Sequence, residues 1–271
     1  MNAGHFARLN LAGILLFRDL TDEIGVDSYT SPPETLLDVP FVPTDENVVE
    51  AMLNLGAVGP NDVLYDLGSG DGRILISAAR NRDTTGIGVD LDPERIADAM
   101  EEAGWAGVQF LVDFIEDDIF TVDISAATVV TLYLLEMVNL ELRPRLLSEL
   151  RPGTRIISHA FGMGDWKPDD WREMSGVNIY KWIVPAQIAG IWEWERLDGR
   201  LYRIDLQQDF QEITGTAWLD GEKAILESAD LQGARLEVTL RENSTAAQDS
   251  FTLHFKNNEL HSVKTATPPK A

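Results

Sequence analysis

The chain has 271 residues, 44% of them hydrophobic, enough for one large or two modest domains with cores of their own. It contains no cysteine, which excludes disulfides, thiolate nucleophiles and Cys-ligated zinc, and its four histidines (His5, His159, His254, His261) show no metal-ligand spacing, so no metal is expected. With 45 acidic and 22 basic residues the net charge is −23, a balance that disfavours nucleic acid and suits a basic protein or a cationic small molecule, unless it records a salty habitat instead.

Residues 1–38 form a weakly patterned N-terminal segment. Its apolar run Leu9 to Phe17 is far short of the roughly 20 residues a membrane span needs and lacks a small-residue cleavage site. We read it as a short packing helix in a cytoplasmic protein, with export as the minority alternative. Ser31-Pro32-Pro33 breaks the chain. Val39-Pro40-Phe41-Val42-Pro43 is extended, and Thr44 is placed to cap a helix from Asp45 to Leu55 whose apolar face is Val48, Val49, Met52, Leu53 and Leu55.

Val63 to Leu67 is an apolar strand, closed by Asp66, that runs into Gly68-Ser69-Gly70-Asp71-Gly72-Arg73 and then a helix to about Arg80. Glycines here free the backbone to turn and leave one face bare for a ligand. A dinucleotide site needs G-x-G-x-x-G, but Arg73 occupies the third glycine's position. An acid two residues before the first glycine suits a cationic ligand better than a pyrophosphate. This D-x-G-x-G-x-G segment resembles the first motif of class I S-adenosylmethionine (SAM)-dependent methyltransferases, whose cofactor carries an ammonium and a sulfonium. A glycine turn in an ordinary α/β core is the plainer reading of the same residues.

Thr85 to Asp90 is the second strand, and Asp90, 20 residues after Gly70, is placed to accept ribose hydroxyls. Asp92 caps the helix Pro93 to Ala103. A third strand near Val112 to Ile115 leads to Glu116-Asp117-Asp118, an acidic loop that in the methyltransferase fold meets the adenine amino group; Asp118 is the choice by position and Asp117 the alternate. Ala127 to Leu132 is a fourth strand ending in Tyr133. Leu142 to Leu150 is helical, with Pro144 in its first turn, and Arg155 to His159 is the fifth strand. Gly162 to Pro168 reads as a lid, or as a loop whose Trp166 packs on the body with Trp171. Ile179 to Val184 and Ile188 to Trp194 read as the closing antiparallel pair. From Gly199 onward short alternating segments (Leu201–Leu206, Gly215–Leu219, Ala224–Glu227, Ala234–Leu240, Ser250–Phe255, Leu260–Lys264), with turns at Asp220-Gly221 and Asn257-Asn258, form a β-meander.

P-F-V-P-T, V-L-Y-D-L-G-S-G-D-G-R, V-V-T-L-Y-L-L and L-R-P-G-T-R-I-I-S-H-A-F together resemble one methyltransferase group over residues 39–185. It comprises bacterial members similar to the mitochondrial protein-lysine N-methyltransferases that act on the ATP synthase c-subunit or an adenine nucleotide translocase. The resemblance implies a Rossmann-like class I sheet with flanking helices, which we bound at residues 39–198; the β-meander then makes a small β-rich domain over 199–271. It implies SAM as cofactor, held by Asp66, Gly68, Ser69, Gly70, Asp90 and Asp118, with Thr44 and Tyr133 lining the site. Glu136 replaces the proline that related sequences carry after Y-L-L. Tyr133, Glu136 and His159 lie at strand ends where an acceptor amine could lose its proton, and Tyr133 and Glu136 are our catalytic choices. A buried Tyr133 with a satisfied hydroxyl and a sheet-capping His159 are the plainer readings. The alternatives in function are a SAM-binding scaffold without turnover and, third, a nicotinamide-dependent oxidoreductase.

Overall fold

The computed structural model describes residues 41–265, all within one unit spanning 37–271. The expectations for the apolar run Leu9 to Phe17 and for the break at Ser31-Pro32-Pro33 lie outside the described residues.

The first sheet is built from β1 (Val63–Leu67), β2 (Thr85–Asp90), β3 (Val112–Glu116), β4 (Val129–Leu132), β5 (Arg155–His159), β6 (Asp170–Met174) and β7 (Val177–Ile183). Their order is β3-β2-β1-β4-β5-β7-β6. The first five are parallel, and β7 and β6 close the sheet antiparallel. Its helices are α1 (Glu46–Leu55), α2 (Arg73–Arg82), α3 (Pro93–Ala106) and α4 (Glu136–Glu149). Parallel strands need crossovers, and the helices that provide them cover both faces, so the central strands β1, β4 and β5 are buried almost end to end. Successive residues go to opposite layers: Leu64, Val129 and Ile157 pack with α1, α2 and α3, while Tyr65, Val130 and Ile156 pack with α4.

α4 begins earlier than Leu142 and contains Pro144 in its interior. Proline removes one i→i−4 bond there, yet Val138, Asn139, Leu142 and Leu146 are all buried and hold the helix across the gap. Asp45, not Thr44, is the cap residue of α1.

The second sheet comprises β8 (Gly190–Glu195), β9 (Leu201–Asp209), β10 (Glu212–Leu219), β11 (Glu222–Gln232), β12 (Arg235–Arg241), β13 (Gln248–Lys256) and β14 (Glu259–Thr265), each antiparallel to the next. The strand expected from Ile188 to Trp194 to close the first sheet therefore belongs here. The closing hairpin is β6–β7, and the second sheet starts at Gly190 instead of near residue 199. Two tight turns carry paired positive φ values, at Asp220-Gly221 (52° and 87°) and at Asn257-Asn258 (52° and 60°). The sheet curls so that Trp194 of β8 stacks on Tyr202 of β9 and meets Phe251 of β13 edge-on.

The loop after β5 joins the two sheets. Trp166 is fully buried, stacked 5.7 Å from Phe210, and its indole N–H donates to Gln211 Oε1 at 2.9 Å. Its carbonyl accepts from the Trp182 indole N–H at 2.8 Å. This corrects the lid reading: Trp166 is a staple to the β9–β10 hairpin, while Trp171, 56% exposed on the edge strand β6, packs on nothing that buries it.

Candidate functional site

The strand order of the first sheet reverses between β1 and β4, and the crevice outside their carboxyl ends is where open α/β sheets bind ligands. A cleft opens there. It is walled by the entry segment 41–44, the turn after β1, the ends of β2 and β4, and the loop after β3.

Asp66 sits at its base, 2% exposed. Thr131 Oγ1 donates to its Oδ1 at 2.7 Å, and among the described residues no lysine, arginine or histidine pairs with it. Burial, helped by the negative charges of Asp90 and Asp71, pushes its pKa up to about 7, against the lowering effect of the Thr131 bond. Ser69 is 6% exposed, and its Oγ is buried without a hydrogen-bond partner. Gly68 has φ +81°, and a Cβ there would lie 2.8 Å from Leu134 Cδ2. Only glycine makes this turn while keeping the cleft open.

The structure brings Thr44, Asp66, Gly68, Ser69, Asp90, Asp118 and Tyr133 together on the cleft wall. Gly70 lies behind the wall. Its N–H donates to Asp90 Oδ2 at 2.8 Å, and the Phe41 ring covers it, 2.4 Å from where a Cβ would stand. Asp90 Oδ1 accepts the Asp92 N–H at 3.0 Å, so both its oxygens are oriented by backbone. Asp118 lines the cleft and orders its own loop by accepting from Phe120 N–H at 2.8 Å, whereas Asp117 is exposed and does not line it. Glu136 is not brought to the site. It is exposed in the first turn of α4, where an acid suits the positive helix end, and we withdraw it as a catalytic choice.

Sequence reasoning missed the apolar wall, Leu91, Ile119 and Leu134 among it. These three each directly follow a residue chosen for its chemistry (Asp90, Asp118, Tyr133), which is the signal that could have found them. It also missed how the entry segment is fastened. Arg73 Nη1 donates to the Thr44 carbonyl at 2.9 Å while pairing with Asp71, and Arg95 lies 5.1 Å from the Phe41 ring centre. Thr44 Oγ1 lies 3.3 Å from His159 Nδ1, and the Tyr133 ring stacks on His159 at 3.8 Å. Burial lowers the His159 pKa, with Asp45 acting in the opposite direction. Among the described residues no group of three or more His, Asp or Glu side chains could hold a metal ion, and no helix is long and apolar enough to cross a membrane.

A family model described as the ANTKMT methyltransferase domain matches residues 66–170, ending before the second sheet. A protein-lysine N-methyltransferase of Saccharolobus islandicus is 45% identical over 151 residues, 54% of this chain and 94% of that protein. The adenine nucleotide translocase lysine N-methyltransferase of Mus musculus is 32% identical over 132 residues, 49% of this chain and 57% of its own length. Among solved structures, one described as an RNA methyltransferase from Salinibacter ruber in complex with S-adenosyl-L-homocysteine is 51% identical and superposes with a TM-score of 0.54, covering 54% of this chain and 96% of that one.

Proposed function

This chain belongs to the class I SAM-dependent methyltransferases with the ANTKMT methyltransferase domain, and from that premise we propose that it methylates the side-chain amine of lysine in a basic protein substrate. SAM is the cofactor, and it supplies an electrophilic methyl on a sulfonium. The residues present fit it. One observation carries the reading: Asp66 is a buried carboxylate at the base of a cleft, without a cation partner among the described residues. A ligand with a cationic end satisfies it, and no pyrophosphate would.

In this reading Asp66, Gly68 and Ser69 hold the cationic tail, and Asp90, aimed by the Gly70 amide, takes the ribose hydroxyls. Asp118 meets the adenine edge between the apolar Leu91 and Ile119, while Thr44 and Tyr133 face the reacting end. The chemistry asks mainly for alignment. An amine that has lost its proton must be held in line with the methyl, in a site that excludes bulk water. Tyr133 is the polar group we assign to the acceptor side.

The cleft wall also favours a cationic acceptor. It carries Asp66, Asp71, Asp90, Asp92 and Asp118, and its two arginines are engaged, Arg73 with Asp71 and Arg95 with Asp92 and Asp98. A lysine is drawn to such a mouth and a phosphate backbone is repelled. We propose that catalysis belongs to the first sheet, that the β-rich part from residue 190 onward serves substrate or structure, and that the protein acts in the cytoplasm.

The test is incubation with methyl-labelled SAM and, in parallel, poly-L-lysine, a core histone mixture and total RNA, followed by hydrolysis and identification of the labelled residue. N-ε-methyllysine is the expected product. Label confined to RNA would replace the lysine reading with the activity named for the Salinibacter ruber structure. Cofactor binding with no labelled acceptor would favour the scaffold alternative.

A further inference from the structure

We propose that His159 is a positioning residue, a single ring that fixes both the Thr44 hydroxyl and the Tyr133 ring on the wall of the cofactor cleft. The inference rests on the methyl-transfer reading and adds to it a residue that does not itself line the cleft.

The sheet register creates the arrangement. β4 and β5 pair Leu132 with Ser158, so the next residues, Tyr133 just past β4 and His159 at the end of β5, stand side by side. Their rings stack at 3.8 Å with 28° between planes. The opposite partner comes from the start of the described chain, 115 residues away, where Thr44 Oγ1 lies 3.3 Å from His159 Nδ1. Thr44 and Tyr133 both line the cleft. One side chain, 5% exposed, therefore ties two separate parts of the wall.

The backbone that carries the ring is itself held. Ala160 takes φ +67°, an unusual conformation for a residue with a Cβ, and its N–H donates to the Asn178 carbonyl at 2.8 Å. Phe161 N–H returns to the His159 carbonyl at 2.8 Å. Ser158 Oγ donates to the Phe161 carbonyl at 2.7 Å, and the fully buried Asn139 Nδ2 reaches Ser158 Oγ at 3.3 Å and the Gly162 carbonyl at 3.3 Å. Strain of this kind persists where surroundings over-determine it and clusters at working sites. Burial lowers the His159 pKa and so disfavours a positive charge beside a cleft built for cations. Alignment of acceptor and methyl then depends on two walls that His159 sets together, and errors near 1 Å in such alignment cost about 100-fold in rate.

Two variants separate its two contacts. His159→Phe keeps a ring to stack on Tyr133 and loses the bond to Thr44. His159→Asn keeps a polar atom for Thr44 and loses the stack. Calorimetry with S-adenosylhomocysteine is expected to show His159→Phe binding about fivefold more weakly, matched by Thr44→Val and not worsened by combining the two. His159→Asn is expected to bind nearly as wild type but to transfer methyl to poly-L-lysine with a lowered kcat. Loss of stability alone does not split affinity from kcat in this reciprocal way. Additive losses for His159→Phe and Thr44→Val, or wild-type behaviour in both His159 variants, would overturn the proposal. Should His159→Phe fail to fold, 13C-histidine NMR of the wild type decides: the His159 ring signal is expected to shift on adding S-adenosylhomocysteine, and no shift overturns the proposal. Wild type that binds S-adenosylhomocysteine but methylates no amine sinks the lysine reading alone, because the affinity comparison still reports on His159. No binding by wild type overturns both.

Discussion

The two sheets of this protein bury different things. All nine buried polar side chains among the described residues lie in the first-sheet region, from Thr44 to His159, and none lies in the second. The second sheet is filled with apolar and aromatic groups, Trp194, Tyr202, Leu236, Phe251 and Leu253 among them. Its one conspicuous polar knot is closed on itself: the Tyr202 hydroxyl donates to Asp249 Oδ2 and Arg196 to Asp249 Oδ1, each at 2.9 Å. At the cleft the opposite holds: among the described residues no cation pairs with the buried Asp66. Burial of an unsatisfied polar group is costly, so a fold keeps one where a ligand completes it. The second sheet also leaves a buried donor unpaired, the Trp194 indole N–H, but that atom is neutral and packed among aromatic rings; the comparison teaches that the first sheet keeps an unpaired carboxylate at an open cleft, where a ligand can meet it, and the second does not.

If that division is right, mutations at the joint should cost stability and spare the cofactor. Trp166→Ala removes a fully buried indole lodged between Trp182 and Phe210, together with a hydrogen bond to Gln211. It should cost about 3–5 kcal/mol in denaturant unfolding, the largest effect we expect. Whatever remains folded should bind S-adenosylhomocysteine within about twofold of wild type. A large loss of affinity at a temperature where the variant is folded would mean the sheets are coupled in function.

At the cleft the signs reverse. Asp66→Asn removes the charge that pairs with the cofactor and should weaken SAM binding about 100-fold in calorimetry. The same substitution should make the ligand-free protein more stable at pH 8, because an uncharged amide replaces a buried, unpaired carboxylate while Thr131 still has an oxygen to meet. A variant both weaker in binding and lower in melting temperature would show that Asp66 serves the fold instead.

The wild type carries the same signature in its pH dependence. The Asp66 carboxyl titrates at 3.8 when unfolded and at about 7 when buried. The folded state therefore holds this proton more tightly. The group's contribution to stability is full below pH 3.8 and is lost as pH rises to about 7. Cofactor binding runs the other way, since it needs the carboxylate. SAM affinity should rise by up to about tenfold from pH 6 to pH 8, and Asp66→Asn should flatten that rise.

How much of this could be read in advance depended on whether the signal was local. The β2 and β5 strands fell on Thr85–Asp90 and Arg155–His159 as read from their apolar runs. The turns at Asp220-Gly221 and Asn257-Asn258 were legible because positive φ is written in residue type. Asp66 and Asp90 were placed at the mouth of the sheet because each closes an apolar strand, whereas Ser69 came only from the family resemblance. The misses in the fold needed tertiary knowledge. The first turns of α4 are held by buried Val138 and Asn139, which outweigh Pro144. β6 has four exposed residues in five, so it carries no alternation to read. β8 alternates well enough to be called a strand, but alternation does not say which sheet it joins. Glu136 stands three residues beyond Tyr133, and only the start of a helix turned it to solvent.

The smallest effect tests the closed side of the comparison. Tyr202→Phe deletes one hydroxyl from the knot around Asp249 and leaves the ring stacked between Trp194 and Phe251. Asp249 keeps its Arg196 partner, so no charge is stranded. The loss is then one hydrogen bond, about 1 kcal/mol in denaturant unfolding. Neither the affinity for S-adenosylhomocysteine nor its pH dependence should move, because no residue of the second sheet lines the cleft. A change in either would reveal a path from the second sheet to the cofactor site, and the natural place to look for it is the Trp166 staple, whose carbonyl already reaches Trp182 in the first sheet.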